Sequence, residues 1–202
     1  MGRGGKIVLL DLGGVLVEAT GRSGLKALLP HLSDAQILER WTRSQAAGLF
    51  ERGKLSSDAF ARRFVDEWGL EIGEAAFLEL FASWVTGFFE GAPELIEALR
   101  ARHHVGCLSN TNAIHWARLR GISSLFDSCF PSHVTGFMKP DHEAYRHALN
   151  KLEARANDVY FFDDLEPNVA AAREVGMNAF RVTDFSALTG QLRALGLHDF
   201  RR

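Results

Sequence analysis

Two short apolar stretches of the sequence each end in carboxylate side chains. Residues 7–10 (Ile-Val-Leu-Leu) are followed by Asp11, and residues 159–162 (Val-Tyr-Phe-Phe) are followed by Asp163 and Asp164. A run of four β-prone apolar residues between polar neighbours is typical of a buried strand in a parallel sheet. Ligands of such sheets bind at the carboxyl ends of the strands, where these carboxylates would meet. Because hard cations prefer oxygen ligands, the pattern predicts a divalent metal site at that edge.

Two other loops carry polar groups that suit an anion. Ser109 and Asn110 follow an apolar stretch and precede a predicted helix, whose N-terminal N–H groups favour negative charge. Lys139 stands directly before a proline in a further loop. Each residue also has an ordinary alternative, with Ser109 or Asp164 capping the helix that follows and Lys139 lying on the surface. Their order along the chain, each after a predicted strand, favours one shared site.

The elements that position these residues fall into two parts, and the first is a helical segment at residues 18–90. Apolar residues recur there at helical spacing, and Ser56 or Ser57 is predicted to cap one of the helices. We expect the aromatic residues of this pattern to form the core of a small helical bundle. The apolar positions are Phe60, Phe64, Val65 and Trp68, followed by Phe77, Leu80, Phe81, Trp84, Val85 and Phe88.

From residue 91 onward, predicted helices and strands alternate, which is typical of right-handed βαβ units and a parallel sheet. The spaced glycines of a dinucleotide-binding loop do not follow Gly13 and Gly14. The sequence therefore predicts an α/β fold, with a Rossmann-like core formed by residues 1–17 and 91–202 and an inserted all-helical cap at residues 18–90. The predicted strands are 104–108, 128–130, 159–163 and 179–182, and the predicted helices are 93–102, 141–152, 167–175 and one near the C-terminus.

Composition excludes several classes of function. The chain has 202 residues, 47% of them apolar, and a formal net charge of −2, so it lacks the basic character of a nucleic-acid-binding protein. No uninterrupted apolar stretch is long enough for a membrane span, and the N-terminal residues lack an apolar signal segment. Cys107 and Cys129 are expected to be reduced thiols. We therefore expect a cytoplasmic protein that binds neither nucleic acid nor membrane and is a monomer or a homodimer.

The four strand-end motifs together resemble those of the haloacid dehalogenase superfamily of hydrolases. In this resemblance Asp11 matches the nucleophilic aspartate, Ser109 the small hydroxyl residue, Lys139 the lysine, and Asp163 with Asp164 the acidic pair. The helical insertion resembles the all-α cap of the first cap class. More narrowly, the sequence is similar to the branch that contains α-D-glucose-1-phosphate phosphatase at residues 108–112 with His115, at residues 139–140, at residues 161–164 and, in the cap, at residues 50–53.

The resemblance implies a Mg²⁺-dependent phosphatase that forms an aspartyl-phosphate on Asp11. Its substrate would be a small phosphorylated metabolite such as a hexose 1-phosphate, and the cap would close over the site. The metal would be bound by Asp11, the Gly13 carbonyl and Asp163, and Asp164 would support it through a water or by holding Lys139. The phosphate would be bound by Ser109, Asn110 and Lys139. Asn168 either anchors the acidic loop or is an ordinary residue on a helix face.

Gly13 departs from the usual phosphatase pattern, which has a second aspartate at this position. That aspartate protonates the leaving oxygen, a contribution of roughly 10²–10⁴ in rate. The same glycine is found in the glucose-1-phosphate phosphatase branch, so it does not by itself indicate inactivity. Either Glu18 or a water replaces the acid, or the substrate has a good leaving group. For His115, packing is expected rather than contact with substrate.

Two other functions stay open from the sequence. A 2-haloacid dehalogenase also lacks the second aspartate and needs no metal, but it typically has an aromatic residue at this position and no pair like Asp163 and Asp164. A non-catalytic binding protein would retain the fold while Gly13 removes turnover. A phosphomutase is disfavoured, because Gly13 removes the group that would carry protons between two sugar hydroxyls.

Overall fold

The computed structural model describes residues 5–199, so both ends of the predicted core, residues 1–4 and 200–202, lie outside the described residues. Strand β1 opens the fold, and the chain then passes through a two-stranded ribbon and five helices before it returns to the core. These elements are β1 (Ile7–Leu10), β2 (Val17–Ala19), α1 (Gly21–Leu28), α2 (Asp34–Arg43), α3 (Gln45–Glu51), α4 (Ser57–Trp68), α5 (Glu74–Ser83) and β3 (Val85–Phe88).

The second half of the chain alternates helices and strands, as the sequence predicts. Its elements are α6 (Ala92–Arg100), β4 (His104–Ser109), α7 (Ala113–Arg118), α8 (Ile122–Leu125), β5 (Ser128–Pro131), α9 (Ser132–Thr135), α10 (His142–Leu152), a 3₁₀ turn (Ala156–Asp158), β6 (Val159–Asp163), α11 (Glu166–Glu174), β7 (Asn178–Arg181) and α12 (Phe185–Ala194).

Within residues 5–199 the core contains a five-stranded parallel sheet in the order β5-β4-β1-β6-β7. Strand β1 lies at the centre, with β4 and β6 beside it, so the loops after these three strands lie next to one another. Side chains alternate between the faces of a strand, and both faces of this sheet are buried. Val8 and Leu10 pack into one apolar cluster, and Leu9 packs into the cluster on the opposite face. The predicted α/β fold with a Rossmann-like sheet is confirmed.

The helices between β2 and β3 enclose an apolar cluster of their own, built largely from aromatic rings. Phe50 stacks on Phe60 with ring centroids 4.2 Å apart, and Phe64 stacks on Phe77 at 5.1 Å. The predicted aromatic core of the helical cap is therefore confirmed. Ser56 caps α4, its hydroxyl accepting a hydrogen bond from the Ala59 N–H. The division of the chain at residues 18 and 90 stays a prediction.

Two local predictions were wrong. Val85 and Phe88 were assigned to a helical face, but α5 ends at Ser83 and both residues lie in β3, which pairs antiparallel with β2. Helical periodicity did not reveal this, because a four-residue strand is too short to set its own period. The helix expected directly after Ser109 begins only at Ala113, where the Asn112 side chain accepts a hydrogen bond from the His115 N–H.

Two further findings concern the cysteines and the helices. Cys107 and Cys129 lie opposite each other on β4 and β5, and both are free thiols. Across residues 5–199, no helix has the length and apolar character that a membrane span requires.

Candidate active site

Asp11 stands at the end of the central strand, where a tight turn begins. Its N–H donates to the Phe162 carbonyl, which extends the pairing of β1 with β6 by one residue. The Leu12 carbonyl then accepts N–H groups from the next turn of chain, and Gly14 adopts a left-handed φ of +75°. A Cβ on Gly14 would lie 3.0 Å from Asp164 Oδ2, so glycine lets this acidic side chain approach the turn. The turn after Asp11 thus brings this carboxylate close to the loop that contains Asp163 and Asp164.

Lys139 links the two strand ends. Its Nζ donates to Asp11 Oδ1 at 2.7 Å and to Asp163 Oδ2 at 2.6 Å. The Lys139 side chain is only 1% exposed, so this triad lies in a low-dielectric environment where its charges interact strongly. The alternative of a surface lysine is excluded, and the predicted meeting of Asp11, Lys139 and Asp163 is observed.

Asp163 has most of its hydrogen-bonding capacity in use. Its Oδ1 accepts from the Leu165 N–H and from Asn168 Nδ2, both at 2.9 Å, while Oδ2 accepts from Lys139. Asn168 is buried and is itself held by Tyr145, whose hydroxyl donates to the Asn168 carbonyl at 2.8 Å. The Asn168 side chain therefore anchors the acidic loop, which decides between the two roles that the sequence left open.

Asp164 is placed differently from its neighbour. Its carboxylate lies over Gly14 and faces a cavity beneath the helical cap. Arg181 Nε donates to the Asp164 main-chain carbonyl at 3.1 Å, which fixes the backbone there. The idea that Asp164 holds Lys139 was wrong, because Lys139 Nζ donates to Asp11 and Asp163. Nor does Asp164 cap the helix after it, since α11 is preceded by Leu165 at its N-cap.

The three carboxylates form an oxygen-rich group whose charge is only partly balanced. One oxygen from each of Asp11, Asp163 and Asp164 lies within 4.8 Å of the others. Burial raises the pKa of Asp11 to about 7, with Asp163 and Asp164 adding to the shift and Lys139 opposing it. Burial and the neighbouring Asp163 likewise raise the pKa of Asp164.

Burial also disfavours the charge on Lys139, but Asp11 and Asp163 outweigh it and raise the lysine pKa. Lys139 thus donates to two of the three carboxylates, and the third, Asp164, has only the more distant charge of Arg22 in addition. A further positive charge would let all three ionise at neutral pH.

This donor set fits Mg²⁺, which binds carboxylate and carbonyl oxygens. The sequence placed Asp163 on the metal and Asp164 in a supporting position, but the hydrogen bonds argue for the reverse. Three donors already occupy Asp163, whereas the Asp164 carboxylate lies directly against the Gly14 turn beside Asp11. Of the acidic pair, Asp164 therefore has the more available carboxylate oxygens, and Asp163 positions Lys139.

Ser109 and Asn110 lie at the end of β4, beside the central strand. Ser109 is buried, with its hydroxyl 3.5 Å from the Asn110 carbonyl. The Asn110 side chain makes two hydrogen bonds to the main chain of Lys139, donating to its carbonyl at 2.7 Å and accepting from its N–H at 2.9 Å. The Asn110 amide therefore holds the lysine loop. Its side chain is occupied by these bonds, so the predicted contact of Asn110 with phosphate would use the main-chain N–H, and it stays a prediction.

Ser132 is a positioning residue that the sequence did not reveal. Its hydroxyl accepts from the Thr111 N–H and donates to the Thr111 carbonyl, both at 2.9 Å, and it is 1% exposed. These bonds tie the loop after β4 to the end of β5. A lone serine after a short strand carries no recognisable signal, since its partner is 21 residues away.

Glu18 and His115 lie on the cap side of the site. Glu18 is exposed on β2 and its Oε2 accepts from the Thr86 hydroxyl at 2.7 Å, with its side chain on the same cavity as Asp164. His115 stacks on Phe81 with ring centroids 4.3 Å apart, and its Nε2 lies 2.8 Å from the Phe81 carbonyl.

The Asn112 amide donates to His115 Nδ1, so Nε2 carries the proton and donates to Phe81. Burial lowers the pKa of His115, which keeps the ring neutral. These contacts join α7 to the cap; His115 also lines the cavity beneath the cap, so the expectation that it does not contact substrate stays a prediction.

The cap approaches the lysine loop through the end of α3. Arg52 Nη2 pairs with Asp141 Oδ2 at 2.8 Å, and a Cβ on Gly53 would overlap the His133 carbonyl. Glu51 precedes them; burial raises its pKa to about 7, against the lowering charges of Arg52 and Lys139. From the sequence, residues 50–53 were notable only for their resemblance to the glucose-1-phosphate phosphatase branch, and no role was predicted for Glu51.

Comparison with known proteins matches this geometry. The sequence model for haloacid dehalogenase-like hydrolases fits residues 6–176, most of the chain. The chain belongs to this family. It is 30% identical over 197 residues to the sesquiterpene phosphatase astK of Aspergillus oryzae, an alignment that covers 94% of this chain and 96% of the relative. The protein is thus a hydrolase of the haloacid dehalogenase type, and the predicted family is confirmed.

Solved structures show the same fold. A HAD-like family hydrolase from Porphyromonas gingivalis superposes with a TM-score of 0.75 at 22% identity, covering 93% of this chain and 98% of that one. A HAD family enzyme from Bacteroides thetaiotaomicron, solved with magnesium and inorganic phosphate, gives a TM-score of 0.73 at 22% identity, covering 89% and 94%. At this identity the likeness concerns the fold, a Rossmann-like sheet with a helical cap.

Proposed function

We propose that this hydrolase is a Mg²⁺-dependent phosphatase that acts through an aspartyl-phosphate on Asp11. The observation that carries the proposal is the buried bridge from Lys139 to Asp11 and Asp163, with Asp164 beside it. A nucleophilic carboxylate, a lysine for phosphoryl oxygens and an acidic pair for a cation are the parts that phosphoryl transfer needs. The name of the Aspergillus oryzae relative supports the same chemistry.

The roles of the chain's own residues follow from their positions. A carboxylate oxygen of Asp11 attacks phosphorus, and the ester oxygen of the substrate leaves with the bonding electrons. Lys139 and the Ser109 hydroxyl bind the oxygens of the transferring group, where charge develops in the transition state. Asn110, Asn168 and Ser132 hold these groups in place through the hydrogen bonds described above. Water then hydrolyses the acyl phosphate and frees Asp11.

The metal, when bound, neutralises the repulsion between the Asp11 carboxylate and the phosphate. We propose Asp11, Asp164 and the Gly13 carbonyl as its ligands, in place of the set with Asp163 that the sequence favoured. A raised pKa of Asp11 supports a metal requirement, because a nucleophile that is half protonated near pH 7 needs a second cation to be fully ionised.

The leaving oxygen needs a proton that Gly13 does not supply. We propose Glu18 as the donor, directly or through a water, because it lines the same cavity as Gly13 and Asp164. An anomeric sugar phosphate, the substrate class expected from the sequence, would need this help least. An isoprenoid phosphate, the class named by the Aspergillus oryzae relative, would need it more.

The test is a screen of phosphate monoesters with Mg²⁺, with Asp11→Asn as the inactive control. We expect turnover in the parent protein, none in Asp11→Asn and none in excess chelator. Activity on 2-haloacids that persists in chelator would instead identify a dehalogenase. A parent protein without turnover on any ester, but with saturable binding of a phosphorylated ligand, would identify a non-catalytic binding protein.

A further inference from the structure

A cavity of about 690 Å³ lies between the carboxyl edge of the sheet and the helical cap. Its core end is formed by Gly13 and Gly14 of the turn after Asp11 and by Asp164 of the acidic pair. This volume falls within the range of small-molecule sites, about 300–1,000 Å³. Because the cavity is continuous with the site, it is the place for whatever group is attached to the transferring phosphate.

The walls of the cavity are mostly apolar, although Thr20, Ser23 and His115 add polar groups to them. They include aliphatic and indole side chains, and one of them, Leu38, is 41% exposed although leucine favours burial. Hydroxyl groups placed against the aliphatic side chains of these walls would lose their hydrogen bonds to water without replacement. These side chains come from α1, α2 and the segment after α5, and they are Leu25, Ile37, Leu38, Trp41, Trp84 and Val85.

The indole of Trp84 depends on a glycine for its position in this wall. A Cβ on Gly24 would overlap the Trp84 ring, and one on Gly21 would contact it at 3.4 Å. Both glycines lie in α1, where glycine costs helix stability of roughly 0.5–1 kcal/mol relative to alanine. Helix α1 thus leaves room for the Trp84 indole, which is only 3% exposed, at a cost in the stability of the helix.

Charged groups cluster where the cavity meets the core. Arg22 stands close enough to Asp164 for its charge to lower the pKa of that carboxyl, and Glu18 lies on the same side. At the cap end, Asp34 and Lys26 also reach the lining, but Lys26 Nζ donates to the Pro30 and Leu32 carbonyls. The cavity therefore has a charged end at the site and a largely apolar end under the cap.

We propose that this cavity binds the hydrocarbon part of its substrate, so that the enzyme hydrolyses phosphate monoesters of long aliphatic or isoprenoid alcohols. The inference rests on the proposed phosphatase function and names its substrate class. The phosphate lies at Asp11 and the chain extends along Leu38 and Trp41. In the reaction the P–O ester bond breaks, a P–O bond to Asp11 forms, and the alkoxide takes a proton from Glu18 or water.

A series of n-alkyl phosphates from ethyl to decyl tests this, because chain length changes the buried area but scarcely changes the leaving group. We expect kcat/KM to rise roughly fourfold for each methylene that becomes buried, which corresponds to about 0.8 kcal/mol each. Glucose 1-phosphate and glucose 6-phosphate should be poorer substrates than decyl phosphate. A flat series, or a preference for the sugar phosphates, overturns the inference while the phosphatase function stands. Turnover of none of these esters refutes the phosphatase function itself.

A pair of variants tests whether this cavity is the one that is used. Leu38→Gln places a polar group in the wall at a partly exposed position, so the fold should tolerate it. We expect it to flatten the dependence on chain length, lowering kcat/KM on decyl phosphate far more than on ethyl phosphate. Val134→Gln is the control, since Val134 is 71% exposed and lines a different depression of the surface. Equal effects of Leu38→Gln on ethyl and decyl phosphate, or no effect on either, would refute the assignment.

Discussion

Replacing Lys139 by methionine tests the central arrangement of the site. Methionine keeps most of the length of lysine but removes the charge that lies 2.7 Å from Asp11 and 2.6 Å from Asp163. Both carboxylates are then left buried without a partner of opposite charge. We expect the variant to be strongly destabilised in the absence of metal, and not merely inactive.

The size of the effect follows from burial. Two unit charges about 4 Å apart interact by about 4 kcal/mol at an effective dielectric constant near 20. Removing one partner of a buried ion pair costs about 3–5 kcal/mol in general. The 1% exposed side chain of Lys139 places this triad in that class, so a loss of about 3–5 kcal/mol in the free energy of unfolding is expected at neutral to alkaline pH.

The loss should depend on pH, and its sign can be derived from Asp11. The folded-state pKa of Asp11 is raised to about 7, above its ordinary value of 3.8, so the folded protein loses stability as pH rises through this range. The charge of Lys139 lowers the pKa of Asp11, so removing Lys139 would raise this pKa further and extend the pH range of the loss upward. The deficit of Lys139→Met should therefore be smaller near pH 5.5, where Asp11 is protonated, than near pH 8.

Urea unfolding monitored by tryptophan fluorescence in the presence of chelator measures both quantities. Lys151→Met is the matched control, because Lys151 is exposed on α10 and surface changes of this kind stay within about 0.5 kcal/mol. A deficit below about 1 kcal/mol near pH 8, or one of equal size at both pH values, would contradict the inferred charge triad. Added Mg²⁺ should stabilise Lys139→Met more than the parent protein, since it supplies charge to the same carboxylates.

Three further variants test single contacts or positions. Glu51→Gln should have a free energy of unfolding about 1–2 kcal/mol higher than the parent protein between pH 5 and 8. Burial raises the pKa of Glu51 from 4.5 to about 7, so its ionisation over this range destabilises the folded parent. Equal pH profiles of the two proteins in urea unfolding would refute this. Asn168→Ala should lower kcat by about tenfold, because Asp163 would then hold Lys139 less firmly in position; unchanged kinetics would show that the Leu165 N–H suffices. Gly13→Asp should fold normally, since nothing lies within 4 Å of a Cβ there, and should raise kcat on alkyl phosphates toward the roughly 10²-fold lower limit for acid catalysis; an unchanged rate would mean that proton transfer is not limiting.

The meeting of distant residues at the site was predictable from sequence, and the reason is topological. Asp11 and Lys139 are 128 positions apart, yet their side chains are in contact. Parallel strands all end at one edge of the sheet, so polar residues that follow each apolar stretch must converge there. The same reasoning needs no knowledge of the sheet order β5-β4-β1-β6-β7.

The division of labour between Asp163 and Asp164 was not predictable. The two residues are adjacent and chemically identical, so only their partners distinguish them. Asn168, one helical turn further on, and the Leu165 N–H hold Asp163, whereas Asp164 is left to face the cavity. The strand β3 was missed for a related reason, because its pairing with β2 joins segments that lie 66 or more residues apart.

The proton for the leaving oxygen is the step that links Gly13, the cavity and Glu18. A primary alkoxide is a poor leaving group, so a substrate that fits the apolar cavity needs the proton that an aspartate at position 13 would have supplied. Glu18 lines that cavity on the first strand of the ribbon that leads into the cap, and the Thr86 hydroxyl on the second strand orients its carboxylate. Glu18→Gln should therefore lower kcat/KM on decyl phosphate by at least tenfold and leave p-nitrophenyl phosphate, which has a good leaving group, within about twofold. Equal losses on both esters would show that Glu18 acts in binding or folding, and no loss on either would leave water as the proton donor.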